Sequence, residues 1–211
     1  MNAVVLIGGG GHARVVASML SESPGTRCLG YTDHHDRGNL EGLAYLGADD
    51  SLTQVRAREG AFELALGIGH VGVTDARAAL VTALEARGFN FCSVVSARAA
   101  IAPSARIGAG SVVMPGAVVN AGAQIDRYAI VNSNATVEHG CTIGAHSHIA
   151  PGAVVCGDAH VGRACLIGAG AVIIQGLEIA DACLIGAGAV VCEHIADRGA
   201  YAGCPARRMR E

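Results

Sequence analysis

A six-residue repeat fills the second half of the chain. From Ile101 to Val191 every sixth residue is Ile or Val, sixteen in succession without an insertion. The residue two positions before each of them is Ala, Ser or Cys in fifteen of the sixteen cases, and Leu177 is the exception. Self-similarity at a fixed period is typical of repeat architectures, in which one small unit is stacked many times. The repeat therefore constrains the fold more than any other feature of the sequence.

The period of six fits a short strand followed by a corner. It is too long for the alternation of one strand and too short for a pair of helices. Three hexapeptides then form the three faces of a prism, with the branched residue inside and the small residue where the chain bends. Glycine often follows the branched residue, as at Gly108, Gly144 and Gly162, and we expect it to supply the corner dihedrals. Roughly 97 residues at about 18 per coil predict between five and six coils.

The composition agrees with a narrow prism. Hydrophobic residues make up 51% of the chain and aromatic residues only 3%, because small and branched side chains replace rings. Gly, Asp, His or Arg interrupts every apolar run before the length of about 18 that a membrane helix needs. The segment from Met1 to Ile7 lacks the basic region of a signal peptide, so we expect a cytoplasmic protein. All 15 basic residues are Arg and are scattered, which argues against nucleic-acid binding.

The first 95 residues have a different pattern. The apolar run Val4–Ile7 predicts a buried strand, and a run of four glycines and a helical pattern follow it. This order directs free N–H groups and a helix N-terminus at an anion, although a tight turn in any α/β unit is the alternative. A second predicted strand ends at Asp33, where a carboxylate could hold a ribose hydroxyl. Further expected elements are a second and a third strand, a helix and a final strand, at Cys28–Thr32, Phe62–Leu66, Asp75–Ala86 and Phe89–Val95.

These patterns predict a Rossmann-like α/β domain followed by a parallel β-helix of hexapeptide repeats. We place the α/β domain at residues 1–95, the β-helix at residues 96–198 and a short C-terminal tail at residues 199–211. The α/β domain is expected to bind a nucleotide. The interior of the β-helix is expected to be filled by side chains, so that ligands bind outside it.

Three features together resemble one family along the whole chain. They are the initial strand with G-x-G-G-H-A-x-V-V, the hexapeptide repeats, and the segment A-G-C-P-A-R at residues 202–207. The family is that of bacterial nucleotide-sugar N-acetyltransferases, which includes the enzymes for UDP-4-amino sugars of the bacillosamine pathway and for GDP-perosamine. Sugar O-acetyltransferases of the sialic-acid type are similar. The resemblance implies a left-handed β-helix, a homotrimer with sites between subunits, and acetyl-CoA as co-substrate.

His139 is the predicted catalytic residue. It follows the interior residue Val137 by two positions and stands in the setting E-H-x-x-x-I-G, in which the resemblance implies a general base. A 4-amino sugar is largely an ammonium ion at neutral pH and must lose a proton before its nitrogen attacks a thioester. Imidazole titrates near neutrality and can accept that proton. A solvated surface histidine is the alternative interpretation.

The sequence departs from the family at the next residue. Some relatives have a Glu there, thought to raise the basicity of the histidine, and this chain has Gly140. Either Glu138 or another carboxylate supplies that role, or His139 mainly orients the amine while water removes the proton. One coil above His139, a backbone N–H near Gly157 is a candidate for receiving the oxyanion.

The resemblance also implies the binding residues. His148 would contact the thioester region of acetyl-CoA, and the small corner residues Ala169 and Ala187 would line the coenzyme. The nucleotide-sugar would be held by Gly10, Gly11, His12, Asp33, Gly69 and Asn132. His12 could instead simply cap the first helix. The tail residues Arg207, Arg208 and Arg210 could neutralise phosphates of CoA or remain solvated.

Other functions compete with amine acetylation. O-acetylation of a sugar hydroxyl would use the same histidine. A zinc lyase of the γ-carbonic-anhydrase kind shares the β-helix, but its histidine spacing is not matched, and we expect no metal. A non-catalytic trimerisation scaffold is the third possibility. Cys141, Cys165 and Cys183 occupy the small interior position, so we expect them to be structural. The nucleotide, the amino sugar and the pathway stay open.

Overall fold

The computed structural model describes residues 2–70, 72 and 76–209. The chain divides into two compact units. The first comprises Met1–Gly69 and Ala76–Ala97, and the second comprises His70–Asp75 and Arg98–Glu211. Within the described ranges no helix is long and apolar enough to cross a membrane.

The first unit is a three-stranded parallel sheet with helices in its connections. Its order is β2-β1-β3. In chain order its elements are β1 (Asn2–Ile7), α1 (Gly11–Ser21), β2 (Thr26–Thr32), a 3₁₀ turn (Asp49–Ser51), α2 (Leu52–Glu59), β3 (Glu63–Leu66), α3 (Ala76–Ala86) and β4 (Val94–Val95). The residues of β1 from Val4 to Ile7 are buried without interruption, as is typical of a central strand in a parallel sheet.

The sequence predicted the first three strands and the helices α1 and α3. The predicted start of α3 at Asp75 lies outside the described residues. The final strand, expected over Phe89–Val95, is wrong in extent, because only Val94–Val95 is a strand and Phe91 forms an isolated bridge with Leu64. Phe89 packs instead against Phe62 at 5.8 Å between ring centroids, so burial of rings rather than strand pairing fixes this segment.

Helix α2 was not predicted. It buries only Leu52 and Val55 and carries polar or charged side chains at most other positions. An apolar stripe this narrow gives no helical periodicity to recognise in the sequence.

The second unit is a left-handed parallel β-helix, as predicted from the repeat and the resemblance. Its strands are two residues long except for the three-residue β21, and each of the first sixteen ends in the branched residue of the hexapeptide. They are β5 (Ala100–Ile101), β6 (Arg106–Ile107), β7 (Val112–Val113), β8 (Val118–Val119), β9 (Gln124–Ile125), β10 (Ile130–Val131), β11 (Thr136–Val137), β12 (Thr142–Ile143), β13 (His148–Ile149), β14 (Val154–Val155), β15 (His160–Val161), β16 (Leu166–Ile167), β17 (Val172–Ile173), β18 (Glu178–Ile179), β19 (Leu184–Ile185), β20 (Val190–Val191), β21 (Ala200–Ala202) and β22 (Arg207–Arg208).

The strands pair in three parallel ladders, one on each face of the prism. The first ladder joins every third strand from β5 to β20, the second from β6 to β18, and the third from β7 to β19 and then β21. Strand β22 closes the third ladder in the antiparallel direction. Every pair formed among β5 to β20 joins residues 18 positions apart, as Thr136 pairs with Val154, whereas β19 pairs with β21 at a separation of 16. One coil therefore contains three hexapeptides, as the repeat predicted.

The interior of the β-helix is filled by the two residue classes that the repeat specifies. Branched residues such as Val137 and Ile143 are fully buried, and so are the small residues Ala135 and Cys141. Burial raises the pKa of the Cys141 thiol, which disfavours the reactive thiolate. This agrees with a structural role for Cys141.

The glycines occupy two kinds of position, and only one of them supplies the corner dihedrals. The left-handed backbone lies three residues before each branched residue, from Gly110 to Gly188, and not directly after it as the sequence suggested. Six of these fourteen corners are not glycine: Tyr128, Asn134, His146, Asp158, Ala164 and Ala182. Gly144, which does follow a branched residue, is needed for a different reason. A Cβ atom there would lie 2.6 Å from the backbone carbon of Gly162 in the next coil.

Two alanine substitutions should distinguish these kinds of glycine. Gly144→Ala forces neighbouring coils apart and should lower the free energy of unfolding by about 3 kcal/mol. Gly152→Ala, at a left-handed corner where a Cβ atom meets nothing within 4 Å, should cost only about 1 kcal/mol. Urea unfolding followed by circular dichroism measures both. Equal losses would mean that close approach of the coils is not what requires Gly144.

Candidate functional site

His139 stands on a corner of the prism directly after strand β11. Burial of Val137 in the interior fixes the strand, and two residues later the chain turns outward. The imidazole is 64% exposed. Its own backbone is tied to the next coil, because the N–H of Asp158 donates to the carbonyl of His139 at 2.9 Å. The corner thus presents an exposed imidazole on a backbone that is hydrogen-bonded to the next coil.

Gly157 packs against the imidazole ring of His139. A Cβ atom at residue 157 would lie 2.5 Å from Cε1 and 2.6 Å from Nε2 of the histidine, so a side chain here would displace the imidazole from its observed position. Among the described residues, no protein acceptor takes the N–H of Gly157. The predicted neighbour of His139 is therefore in contact with it and retains an unused donor.

The carboxylate nearest to the imidazole belongs to Asp158. Its Oδ2 lies 3.9 Å from Nδ1 of His139. Glu138, the other candidate considered from the sequence, is engaged elsewhere, because its Oε2 accepts a hydrogen bond from Nδ2 of Asn120 at 2.8 Å. Asp158 was not singled out in the sequence, although it lies 18 residues after Gly140 and therefore one coil away.

Asn132 and His148 form a hydrogen-bonded chain with a fixed direction. The N–H of Ser133 donates to Oδ1 of Asn132 at 2.8 Å, which leaves the amide Nδ2 to face Nε2 of His148 at 2.9 Å. Nδ1 of His148 lies 2.7 Å from the carbonyl oxygen of His70 and must donate, since a carbonyl only accepts. His148 is thus a neutral ring protonated at Nδ1, with both nitrogens occupied.

This series of hydrogen bonds joins two predicted site residues, Asn132 and His148, to His70, which the sequence analysis missed. Asn132 was expected to contact the sugar and His148 the thioester, and the structure places their side chains against each other. His148 is buried, with 8% of its surface exposed. His70 escaped notice because its contribution is a backbone carbonyl, which carries no side-chain signal.

The glycine run of the first unit contains one position that was overlooked. A Cβ atom on Gly9 would lie 2.7 Å from Cγ of Arg37 and 2.9 Å from Cε2 of Tyr31, whereas one on Gly10 or Gly11 meets nothing within 4 Å. Gly10 is the N-cap of α1 and provides no side-chain cap. The predicted pair is therefore exposed at a helix N-terminus, the usual setting for an anion, and Gly9 is the residue that sterics require.

His12 and Gly69 are neighbours. A Cβ atom on Gly69 would lie 3.5 Å from Cβ of His12 and 3.6 Å from its Cγ, in ordinary van der Waals contact. His12 is half-buried. The structure thus brings two of the predicted nucleotide-sugar residues together beside the start of α1.

Asp33 organises the loop around the glycines. Its Oδ2 accepts the N–H of Gly9 at 2.8 Å, and its Oδ1 accepts the N–H of His35 at 3.1 Å and Nε of Arg37 at 3.3 Å. Burial by itself raises the pKa of this carboxyl, but the bonds from His35 and Gly9 and the charge of Arg37 outweigh it, so the pKa lies below its usual value. Both oxygens already serve the protein, and contact with a ribose stays a prediction.

The predicted coenzyme residues lie on successive coils. Ala169 and Ala187 are exposed at the same corner, and the N–H of Gly188 donates to the carbonyl of Ala169 at 2.8 Å. In the tail, Arg207 lies 3.6 Å from a Glu193 carboxylate oxygen, and Arg208 donates to the carbonyl of Arg198 at 3.2 Å. Arg210 lies outside the described residues. In the parts of the chain that are described, no grouping of three or more His, Cys, Asp or Glu could hold a metal.

The lowered pKa of Asp33 predicts a pH-dependent contribution to stability. A carboxylate with a lower pKa in the folded state stabilises the fold above its unfolded value of about 4, and this is lost as the pH falls through the folded-state value. Asp33→Asn should therefore lower the free energy of unfolding at pH 7, and its difference from the wild type should shrink by pH 3. Urea unfolding at each pH tests this, with the exposed Asp50→Asn as control. A difference that does not depend on pH would contradict it.

Comparisons with known proteins identify both parts of the chain. Residues 3–78 match the PglD N-terminal domain, and residues 122–157 match the bacterial transferase hexapeptide family, with six repeats. A comparison with curated protein sequences found no match.

Solved structures match along the full length. A histidine-to-alanine variant of GDP-perosamine N-acetyltransferase from Caulobacter crescentus, in complex with CoA and GDP-perosamine, is 32% identical with a TM-score of 0.92, covering 100% of this chain and 98% of that one. The acetyltransferase domain of PglB from Neisseria gonorrhoeae FA1090, in complex with acetyl coenzyme A, is 34% identical with a TM-score of 0.89, covering 99% and 100%. WeeI from Acinetobacter baumannii AYE, at 24% identity and a TM-score of 0.84, shares the fold. The chain therefore belongs to the hexapeptide-repeat acyltransferases with a PglD N-terminal domain, the family of nucleotide-amino-sugar N-acetyltransferases.

Proposed function

We propose that this protein transfers the acetyl group of acetyl-CoA to the amine of a nucleotide-linked sugar, a 4-amino-4,6-dideoxy sugar by preference. The full-length likeness to a perosamine N-acetyltransferase that holds CoA and GDP-perosamine carries the proposal. The exposed imidazole of His139 over the backbone of Gly157 supplies a matching chemical centre. O-acetylation of a sugar hydroxyl is the alternative, and the relatives described above favour the amine.

The reaction needs a proton acceptor for the sugar ammonium and replaces the carbon–sulfur bond of the thioester with a carbon–nitrogen bond. Nε2 of His139 takes a proton from the sugar ammonium, and the amine nitrogen attacks the thioester carbonyl carbon. The carbon–nitrogen bond forms and the carbon–sulfur bond then breaks. The CoA thiolate leaves and takes up the second proton of the amine nitrogen, so that a neutral amide and the CoA thiol are formed. Imidazole suits this task because its charge changes near neutral pH. No covalent intermediate with the protein is required.

Negative charge develops on the thioester oxygen during the attack. The N–H of Gly157 is the proposed donor to that oxygen, because among the described residues it has no protein acceptor and its residue contacts the imidazole. A fixed backbone donor stabilises a developing oxyanion without reorganisation at the moment of reaction.

The substrates are proposed to approach the outside of the β-helix. Its interior is closed by buried side chains, so it offers no internal pocket. The N-terminus of α1 at Gly10 and Gly11 is a suitable place for the nucleotide phosphates, with His12, Asp33 and Gly69 around it. The pantetheine arm would lie along the corner of Ala169 and Ala187. An exposed corner needs a second wall, and we propose that a neighbouring subunit of a homotrimer supplies it.

A screen of acceptors tests the proposed reaction. UDP-, GDP- and dTDP-linked 4-amino sugars and their 4-hydroxy counterparts are each mixed with acetyl-CoA, and thiol release is followed while mass spectrometry identifies the product. One amino sugar should react at least about 100-fold faster in kcat/KM than its hydroxy counterpart, because an amine is the stronger nucleophile and a site built to pair a polar group discriminates strongly. Faster reaction of the hydroxy sugars would transfer the assignment to O-acetylation.

Removal of the imidazole should impair the chemical step. His139→Ala should lower kcat by about 10²–10⁴-fold, the usual contribution of a general base, with little change in the KM for acetyl-CoA. His160→Ala, which removes another exposed histidine of the β-helix, is the matched control and should retain activity. Full activity of His139→Ala at saturating substrates would exclude its role as a base.

A further inference from the structure

Gly140 and Asp158 occupy equivalent corners in adjacent coils. Both have left-handed backbone, with φ of 68° at Gly140 and 57° at Asp158. Eight of the fourteen such corners are glycine, because a residue with a Cβ atom is strained there. An aspartate at this position, directly beside an exposed histidine, is therefore a feature to explain. Aspartate is one of the non-glycine residues found most often in left-handed backbone, so this corner can present a carboxylate.

The carboxylate of Asp158 fills the space into which a side chain at residue 140 would extend. A Cβ atom built on Gly140 would collide with Oδ1 of Asp158. A larger residue at position 140 and the observed placement of Asp158 are thus mutually exclusive. The absence of a carboxylate directly after His139 coincides with the presence of one delivered from the next coil.

The same coil-to-coil contact directs Asp158 toward the histidine. The N–H of Asp158 donates to the carbonyl of His139 at 2.9 Å, which fixes the two backbones against each other. Oδ2 then lies 3.9 Å from Nδ1. Both side chains are exposed, so a small rotation brings the two atoms to the 2.7–3.2 Å of a hydrogen bond. Glu138 is held by Asn120 and does not compete.

We propose that Asp158 is a positioning residue for His139, in the place of a carboxylate at position 140. It accepts a hydrogen bond from the Nδ1–H, keeps Nε2 unprotonated and directed at the substrate amine, and stabilises the imidazolium that forms when Nε2 takes the proton. No proton passes to Asp158 itself. This inference rests on the proposed role of His139 as the base.

The tautomer of His139 tests the contact without any substrate. In the folded protein, imidazole ¹⁵N shifts at a pH where the ring is neutral should show predominantly the Nδ1–H form. Asp158→Asn should shift His139 toward the Nε2–H form that free histidine favours, and Asp126→Asn, at another exposed position of the β-helix, should not. Asparagine tolerates left-handed backbone, so the fold should be retained. An unchanged tautomer in Asp158→Asn would overturn the proposal.

Kinetics then test whether the contact matters for the reaction. Asp158→Asn should lower kcat about five- to tenfold, the range expected for a partly exposed partner, with KM unchanged. In a His139→Ala background the same substitution should have no further effect, because Asp158 acts only through the imidazole. A loss that persists without the histidine, or a change of less than twofold with it present, would contradict the positioning role.

Exchanging the residues at positions 140 and 158 tests whether a carboxylate at either corner can support His139. In Gly140→Asp combined with Asp158→Gly, the carboxylate moves to the residue directly after His139 and occupies the space that Asp158 vacates. This variant should recover activity to within about threefold of the wild type and exceed Asp158→Gly alone. No recovery would count against the carboxylate as the active element. If His139→Ala is fully active, the proposed general base fails instead, whatever the tautomer experiment gives.

Discussion

The hydrogen-bonded register of the β-helix ties each residue to the one 18 positions later, and the site depends on this constraint. The ladders pair Thr136 with Val154 and Val137 with Val155, so the corner that follows them is stacked in the same way. Gly157 therefore lies beside His139, and Asp158 beside Gly140. A side chain on such a corner has its neighbours set by the next coil and not by the residues that flank it in sequence. The chemistry around His139 is consequently built from two coils at once.

The corner position two residues after each branched residue has a second property that the ladders impose. Strand N–H groups bond to the coil above, whereas at this corner the N–H groups of His139, Gly157, Ala169 and Ala187 have no backbone acceptor among the described residues. Proline, which lacks an N–H, accordingly occupies it at Pro103, Pro115 and Pro151. His139 and Gly157 both stand at this position, and so do the proposed coenzyme residues Ala169 and Ala187. At His139 and Gly157 this corner thus offers an exposed imidazole and a backbone N–H that has no protein acceptor among the described residues, which suits the proposed attack on a thioester.

The sequence predicted the architecture well because the period of six translates directly into geometry. Branched interior residues, small bends and 18 residues per coil all follow from side-chain volume and strand length, and the structure has them. The sequence was less informative about positions whose role depends on backbone conformation or on a backbone carbonyl. Gly140 adopts left-handed backbone, whereas Gly144 allows a close approach of the next coil, and residue identity alone does not distinguish these two reasons. His70 contributes a carbonyl, and Gly9 is required by Arg37 and Tyr31, which are distant in sequence.

The proposed role of Asp158 illustrates how a repeat scaffold can bring a side chain to a site from the next coil. Both corners have the same backbone conformation, and only one side chain fits in the space between them. Comparison along one coil would conclude that the histidine has lost its partner. Comparison along the stacking direction finds the carboxylate again, one coil on. In a β-helix the neighbours of an active residue are therefore to be sought at 18 residues as well as at one, since hydrogen bonds between coils hold residues 18 apart side by side.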